Sequence, residues 1–193
     1  MNVYIKSYYG NNMPDNIISD VINFCKKAEQ ETSQHAHENM CTVDWQHKSN
    51  TLLHTIFRQK RYDENNGKFF LCYCNDALAA VSGCYTYEND STILICGVRC
   101  WTLPEYRVKY LHGSYIFPAQ FEWGEQEGYR MGMFTFNEYN LPLRNFLKRI
   151  TQNKMTAPGL PNNEIYKDLE FPEDHRIIKN TKQWVAIKNF KGK

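Results

Sequence analysis

Alternating and helical spacings of apolar residues divide the first half of the chain into recognisable elements. Residues 3–9 (VYIKSYY) alternate and stop at Gly10, which predicts a first strand. Apolar residues then recur every three or four positions and predict a helix over about 15–31. Residues 32–47 are polar and aperiodic and predict a loop, and helical spacing returns over 48–61.

The centre of the chain predicts three antiparallel strands. Residues 68–74 and 77–88 flank the polar pair Asn75-Asp76, which indicates a β-hairpin with a tight turn. A long β-branched strand follows over 91–103. Gly97 in its middle indicates a bulge or a close backbone approach.

The last third predicts helices alternating with strands. A helix that Gly128 closes precedes a strand over 130–136, and Pro118 fits this helix if it starts near residue 115 or later. Another helix, a loop over 153–164 and strands at 164–169 and 183–190 follow. This order predicts one α/β (α+β) domain over 1–193. Its central sheet is mixed and mostly antiparallel, with about six to seven strands and helices on both faces.

Composition narrows the class of protein. The 193 residues are 42% hydrophobic, and the formal net charge is only +2, which disfavours nucleic-acid and anionic-membrane partners. No apolar run approaches the ~20 residues of a spanning helix, and the N-terminus lacks a signal-peptide pattern, so we expect a cytoplasmic protein. A basic tail leaves nucleic-acid or partner binding as a weaker alternative to a solvated end. Its lysines are Lys179, Lys182, Lys188, Lys191 and Lys193.

The seven cysteines are expected to be reduced thiols that pack as small apolar side chains. Cys72 and Cys74 share one face of a strand, as do Cys96 and Cys100, and neither pair has the spacing of a zinc knuckle. The segment 35–38 (HAHE) lacks the spacing of ligands on one helical face. We therefore expect no metal site.

The segment after the long strand carries the clearest motif. Leu103-Pro104-Glu105-Tyr106-Arg107 opens a stretch that runs to Ser114. It resembles the V-x-P-x-[YH]-R-x-x-G-x-[GA] loop of the GCN5-related N-acetyltransferases, whose amides hold the pyrophosphate of coenzyme A. The element order of residues 1–152 is also similar to that family. Tyr110 and His112 replace the two small residues of the pattern, and Gly113 stands one place late.

The resemblance implies an acyl-CoA N-acyltransferase-like fold with acetyl-CoA or CoA as cosubstrate. Strand-end backbone would hold the pantetheine arm, the loop would hold the pyrophosphate, and the Asn after the next strand would also contact the cofactor. The residues implied are Trp101, Thr102, Leu103, Arg107, Val108, Lys109, Tyr110, Leu111, His112, Gly113, Ser114 and Asn140.

The catalytic groups are less defined. The family often carries a Tyr about seven residues after this Asn to protonate the departing thiolate, but Leu147 stands there. The resemblance leaves Tyr139, another group or water as the proton donor. Glu88 and Glu105 are candidate bases for the acceptor amine, although each is also an ordinary surface acid. His54 is expected to be a half-buried structural histidine.

Two functions follow from the resemblance. The first is acyl-CoA-dependent N-acyl transfer, with acetyl passing from acetyl-CoA to an amine by direct attack. The second is a binding or interaction protein on the same fold with catalysis lost, which the residues at 110, 112 and 147 motivate. The acceptor, a small molecule or a protein, stays open. The family also suggests a homodimer.

Overall fold

The computed structural model describes residues 2–33, 66–137, 141–151, 163–166, 168–172, 176–178 and 181–191. These residues contain eight strands of one sheet. The strands are β1 (Val3–Tyr8), β2 (Gly67–Cys74), β3 (Ala77–Tyr87), β4 (Asp90–Thr102), β5 (Met131–Asn137), β6 (Leu169–Glu170), β7 (Arg176–Ile178) and β8 (Thr181–Asn189). Their order is β1-β2-β3-β4-β5-β8-β6, and β7 also pairs with β8.

Three α-helices lie in the described part of the chain: α1 (Asp15–Ser33), α2 (Phe117–Gln126) and α3 (Leu141–Thr151). Short 3₁₀ helices occupy Gly10–Asn12, Pro104–Lys109 and Asn163–Tyr166, and a π-helical turn over His112–Ile116 runs directly into α2. Gly128, with φ +84°, follows the end of α2. The amide of Tyr129 reaches back to the Gly124 carbonyl there, which closes the helix as predicted.

The β2–β3 hairpin shows how local sequence sets the register. Asn75 and Asp76 both take left-handed conformations, with φ of 48° and 67°. Such a turn matches the twist of antiparallel strands, and Asn and Asp tolerate it better than other non-glycine residues. The predicted hairpin is confirmed.

Of the remaining predictions for the fold, one is confirmed, one is wrong and others fall outside the described residues. The predicted mixed, mostly antiparallel sheet is confirmed, because β4 and β5 form a parallel pair within an otherwise antiparallel sheet. The strand predicted at 164–169 is wrong: a 3₁₀ helix ends at Tyr166 and β6 begins only at Leu169. The short β7 was not predicted. The helix predicted over 48–61, with His54, and the segment 35–38 lie outside the described residues.

Apolar residues cover both faces of the sheet. On one face, Ile18 and Val21 of α1 pack against Leu71 and Val81. On the other, α2 and α3 bury Phe117, Phe121 and Leu147 against the strands. The alternation of β2 sends Leu71 to the first face and its neighbours Phe70 and Cys72 to the second. Helices on both faces are therefore confirmed.

The described cysteines are reduced thiols that lie in or against the core, as expected. Cys72 and Cys74 share one cluster with Cys96, and Cys100 packs against it half-buried. Burial raises the pKa of Cys72 to about 12, and also that of Cys100 to about 12. Thiols this weakly acidic are poor nucleophiles.

The basic tail is not simply solvated. Lys188 lies on β8 with its side chain buried and its Nζ 3.7 Å from Asp168. The prediction of a solvated end is therefore wrong for Lys188, because the alternation of side chains along β8 turns this one inward. No helix in the described part of the chain is long and apolar enough to cross a bilayer.

Candidate functional site

The central feature of the sheet is the parting of β4 and β5. Ile93–Cys96 pair with Met131–Phe134, and the pairing stops there. Beyond that point β4 continues along β3, and β5 continues along β8. The break falls at Gly97, whose φ of +68° favours glycine. We call the opening between 97–102 of β4 and the end of β5 the wedge.

Backbone direction decides which residues present groups to the wedge. The Leu103 amide donates to the Ala79 carbonyl, and the Leu103 carbonyl accepts from the Tyr106 amide. Backbone groups along a strand alternate in direction, so Trp101 also faces β3 while Thr102 faces the wedge. We expected Trp101, Thr102 and Leu103 all to offer backbone groups to the pantetheine arm. Because the backbone groups of Trp101 and the Leu103 amide face β3 and not the wedge, that expectation is wrong for these two residues.

Gln120 of α2 holds the break in β4. Its Oε1 accepts the Gly97 amide at 3.1 Å, and its Nε2 donates to the Ser82 hydroxyl and the Gly83 carbonyl, each at 3.1 Å. The Ser82 hydroxyl donates to the Val98 carbonyl at 3.2 Å. Gln120 and Ser82 are both fully buried. An amide side chain thus supplies partners that a strand in register would otherwise provide.

Tyr110 marks the turn from the 3₁₀ helix Pro104–Lys109 into the next helix. It adopts a left-handed conformation (φ 49°, ψ 39°). Its own amide donates to the Arg107 carbonyl, and its carbonyl accepts from the Ser114 amide. The amides of residues 111–113 then form the first helical turn, where no acceptor exists within the helix. Such a turn attracts anions.

His112 ties this helical turn to the sheet. Its Nε2 lies 3.0 Å from the Val81 carbonyl and its Nδ1 lies 2.9 Å from the Thr102 hydroxyl. Because a carbonyl only accepts, Nε2 carries the proton and Nδ1 accepts from Thr102. Burial lowers the pKa of His112 to about 4, so the ring is neutral at pH 7. His112 is therefore a positioning residue.

Pro118 leaves a carbonyl of the preceding helical turn without its usual partner, and Tyr166 supplies one. The Phe117 amide donates to the His112 carbonyl in π-helical register. The next carbonyl, of Gly113, would pair with residue 118, but proline has no amide hydrogen. The Tyr166 hydroxyl donates to the Gly113 carbonyl instead. The α-helix itself begins at Phe117, so Pro118 lies in its first turn as predicted. The π turn precedes it, and Tyr166 satisfies the carbonyl that the proline leaves without a partner.

Phe146 of α3 packs on the first helical turn from outside. A Cβ added at Gly113 would overlap its ring, so glycine is required here for close approach. The Phe146 ring also stacks on Tyr110, with centroids 5.4 Å apart and planes 10° apart. Tyr110 remains 42% exposed. An aromatic pair thus borders the amides of residues 111–113.

The structure does not bring together the other predicted site residues that it describes. Glu88 is exposed in the β3–β4 turn, at the opposite end of β4 from the wedge, so the structure does not bring it to the loop. Arg107 is exposed on the 3₁₀ helix. Tyr139, Asn140 and the side chains of residues 108–109 lie outside the described part, so their roles stay predictions. The described residues contain no group of three His, Cys, Asp or Glu side chains that could hold a metal ion.

Sequence reasoning missed Gln120, Phe146 and Tyr166. Gln120 had a readable signal, because it occupies an inward position three residues after Phe117 and one before Phe121. A polar residue at such a position indicates a buried partner. Phe146 was assigned only to the apolar side of its helix. Tyr166 had no signal, since its partner Gly113 is remote in sequence.

Comparisons with known proteins identify the fold. Neither a family model nor a curated protein matches the chain. PaiA N-acetyltransferase from Thermoplasma acidophilum, solved in complex with coenzyme A, is 11% identical with a TM-score of 0.63, covering 98% of this chain and 100% of that one. A putative GNAT-family acetyltransferase from Desulfovibrio desulfuricans is 9% identical with a TM-score of 0.62, covering 97% and 99%. Escherichia coli ElaA is 7% identical with a TM-score of 0.60, covering 97% and 100%.

Replacing Gln120 with leucine tests the support of the wedge. The change leaves the Gly97 amide and the Gly83 carbonyl buried without their partner, so we expect the free energy of unfolding to fall by roughly 2–4 kcal/mol. Urea denaturation followed by circular dichroism measures it. Gln126→Leu is the matched control, because Gln126 is exposed on the same helix. Equal effects of the two changes would contradict the assigned role.

Acid pH should weaken the fold through His112. The folded-state pKa of about 4 lies below the ordinary 6.5, so the unfolded chain binds the proton more tightly between these values. The stabilisation is complete above about pH 6.5 and is lost as pH falls toward 4, by about 1–3 kcal/mol. Urea midpoints from pH 7.5 to 4.5 should converge between wild type and His112→Asn. An imidazole that titrates near 6.5 by NMR would contradict this.

Proposed function

We propose, on the premise that this chain has the fold of the GCN5-related N-acetyltransferases, that it is an acyl-CoA-dependent N-acyltransferase. Acetyl would pass from acetyl-CoA to an amine by direct attack, without an acyl-enzyme. The observation that carries the proposal is the combination of the wedge with the amides of residues 111–113 at its edge, which have no backbone acceptor among the described residues.

The residues at the helix start fit a diphosphate in two respects. Their amides lie at the positive end of a helix, where an anion is stabilised by about 0.3–1 kcal/mol at exposed positions and by more when partly buried. The Ser114 hydroxyl oxygen lies in the same turn, buried and without a hydrogen-bond partner among the described residues. A buried polar atom without a partner is unusual and is consistent with a ligand site.

The chain's own groups would act mainly by positioning. The backbone of Thr102 would hold the pantetheine arm in the wedge, and strand-end backbone of β4 would polarise the acyl carbonyl. Bound acetyl-CoA would supply the activated acyl group as a thioester. The pairing of the wedge walls with β3 and β8 fixes their geometry, and such pre-organisation can supply a large part of a rate enhancement.

Proton transfer is the least supported part of the proposal. The two ring nitrogens of His112 are already bonded, and the Cys100 thiol stays protonated at neutral pH. Neither group is a suitable base. Tyr139 as donor to the thiolate, Asn140 as a cofactor contact and Glu88 or Glu105 as base remain proposals from the sequence, with the exposed position of Glu88 unfavourable. The acceptor amine, a homodimeric state and a cytoplasmic location are expected on the same grounds.

A specific observation supports the alternative, a GNAT-fold binding protein without catalysis. Tyr110 and Phe146 stack beside the amides that would receive the diphosphate. Leu147, where many family members carry a catalytic tyrosine, is buried in the core. The two functions differ in whether acyl-CoA binds and whether it then reacts.

Titration with acetyl-CoA and CoA by calorimetry tests the proposal. We expect wild type to bind, and Tyr110→Gly to bind about tenfold more tightly, because glycine adopts the left-handed conformation freely and removes a ring from the anion's path. Tyr110→Phe keeps the stack and should bind like wild type. Arg107→Ala should bind more weakly, since it loses a nearby cation.

The outcomes separate the two functions. No heat and no thermal shift at millimolar ligand, in both wild type and Tyr110→Gly, would contradict any acyl-CoA function. Binding without release of free thiol across a panel of amines would favour the protein without catalysis. Binding with amine-dependent thiol release would support the transferase.

A further inference from the structure

The closed end of the wedge is the place that a bound acyl group would reach. The last paired residues there are Cys96 of β4 and Phe134 of β5. The helix start lies at the open end, where the Nδ1 atom of His112 is 2.9 Å from the Thr102 hydroxyl. From Thr102 to Gly97 the strand runs for about 16 Å, at ~3.3 Å per residue. A thioester arm that is held at the helix start and passes Thr102 therefore carries its acyl group toward Gly97.

The ring of Phe134 fills the closed end on the face of the sheet that carries α2. Phe134 is buried, and a Cβ added at Gly97 would lie only 2.9 Å from its Cδ1 atom. Side chains do not tolerate so short a contact, so the lack of a side chain at Gly97 is what admits the ring. The ring therefore covers the backbone at the point where β4 and β5 part.

Two residues of α2 hold this ring in place. The Phe134 ring packs edge-to-face on Phe117, with centroids 4.9 Å apart, and on Phe121, with centroids 5.4 Å apart. Such T-shaped pairs are a preferred arrangement of aromatic rings. Gln120 of the same helix accepts the Gly97 amide, so α2, the ring and the break in β4 are joined. Close packing of this kind leaves the ring little freedom to move aside.

Cys100 borders the same place on β4. Its half-buried thiol lies 3.1 Å from the Gly97 carbonyl and 3.1 Å from the Ser82 hydroxyl. Because burial raises the pKa of Cys100 to about 12, the thiol is neutral at pH 7. A neutral thiol behaves as a small apolar group. An aromatic ring and a neutral thiol thus border the closed end, and both suit the methyl group of an acetyl chain.

We propose that Phe134 restricts the acyl group to acetyl or a chain of similar length. The inference rests on the proposed acyltransferase function and deepens it, since it names the class of acyl donor. The carbons of a longer chain at the closed end would meet the ring directly behind Gly97. Displacing that ring would disturb its contacts with Phe117 and Phe121, and well-packed cores resist added methylene groups.

Calorimetry with acetyl-, butyryl- and hexanoyl-CoA tests the inference. The three ligands share the whole CoA part, so a difference in affinity between them reports on the acyl chain alone. We expect wild type to bind acetyl-CoA at least about tenfold more tightly than hexanoyl-CoA, with butyryl-CoA between them.

Variants assign this preference to Phe134. Phe134→Ala should reduce the preference for acetyl-CoA over hexanoyl-CoA by at least about tenfold, because a hexanoyl chain is smaller than the ring that is removed. Phe134→Leu should reduce it less and keeps the core apolar, so it tests the inference even if the alanine variant does not fold. Thermal unfolding shows which variants are folded.

Phe190→Leu is the matched control. Phe190 is a buried phenylalanine of the same core cluster, but it packs against Gly124 and Gly132 on the paired side of the break. A general loosening of the core would change the affinities for all three ligands alike. We therefore expect Phe190→Leu to keep the wild-type order of the three affinities.

The outcomes separate this inference from the function on which it rests. Equal binding of acetyl-CoA and hexanoyl-CoA by wild type would overturn the inference and leave the proposed function standing. An unchanged preference in the folded Phe134 variants, or the same change in Phe190→Leu as in Phe134→Leu, would do so too. No binding of any of the three ligands by wild type or variants would contradict the proposed function itself and the inference with it.

Discussion

The hydrogen bond between the Gly97 amide and the side chain of Gln120 is the contact on which the separation of β4 and β5 depends. Parallel strands that part inside a sheet leave backbone groups without partners, and burying such groups is costly. Gln120 supplies an acceptor for one strand and donates to the neighbouring strand at Gly83. Because Gln120 belongs to α2, the position of this helix and the opening of the sheet are set together.

Buried polar side chains also fix the π-helical turn that leads into α2. His112 connects it to β3 and β4, and Tyr166 donates to the carbonyl that Pro118 leaves without a partner. Both side chains are neutral at pH 7, since burial lowers the pKa of His112 and raises that of Tyr166. Neutral hydrogen bonds from His112 and Tyr166 thus hold the amides of residues 111–113 in place.

Solved structures that are 7–11% identical to this chain share its fold, so this backbone tolerates extensive differences in sequence. Tyr110 illustrates how. It stands where the family pattern has a glycine, yet it keeps a left-handed conformation, with φ at 49°. For a residue with a Cβ this conformation costs about 1–2 kcal/mol, and the stack on Phe146 offsets part of that cost. The same ring borders the amides of residues 111–113 at the helix start.

The sequence by itself determined the main strands, the hairpin at Asn75-Asp76, a backbone irregularity at Gly97 and the strand–helix–strand crossover, because these follow from spacing and turn chemistry over a few neighbouring residues. The sequence also indicated the loop after β4 as the candidate site. Only the tertiary structure decided which amides of that loop lack a backbone acceptor among the described residues, that the Leu103 amide faces β3, and that Phe146 covers Gly113. It also decided the short β7. These features depend on contacts between residues far apart in the chain, which local periodicity does not encode.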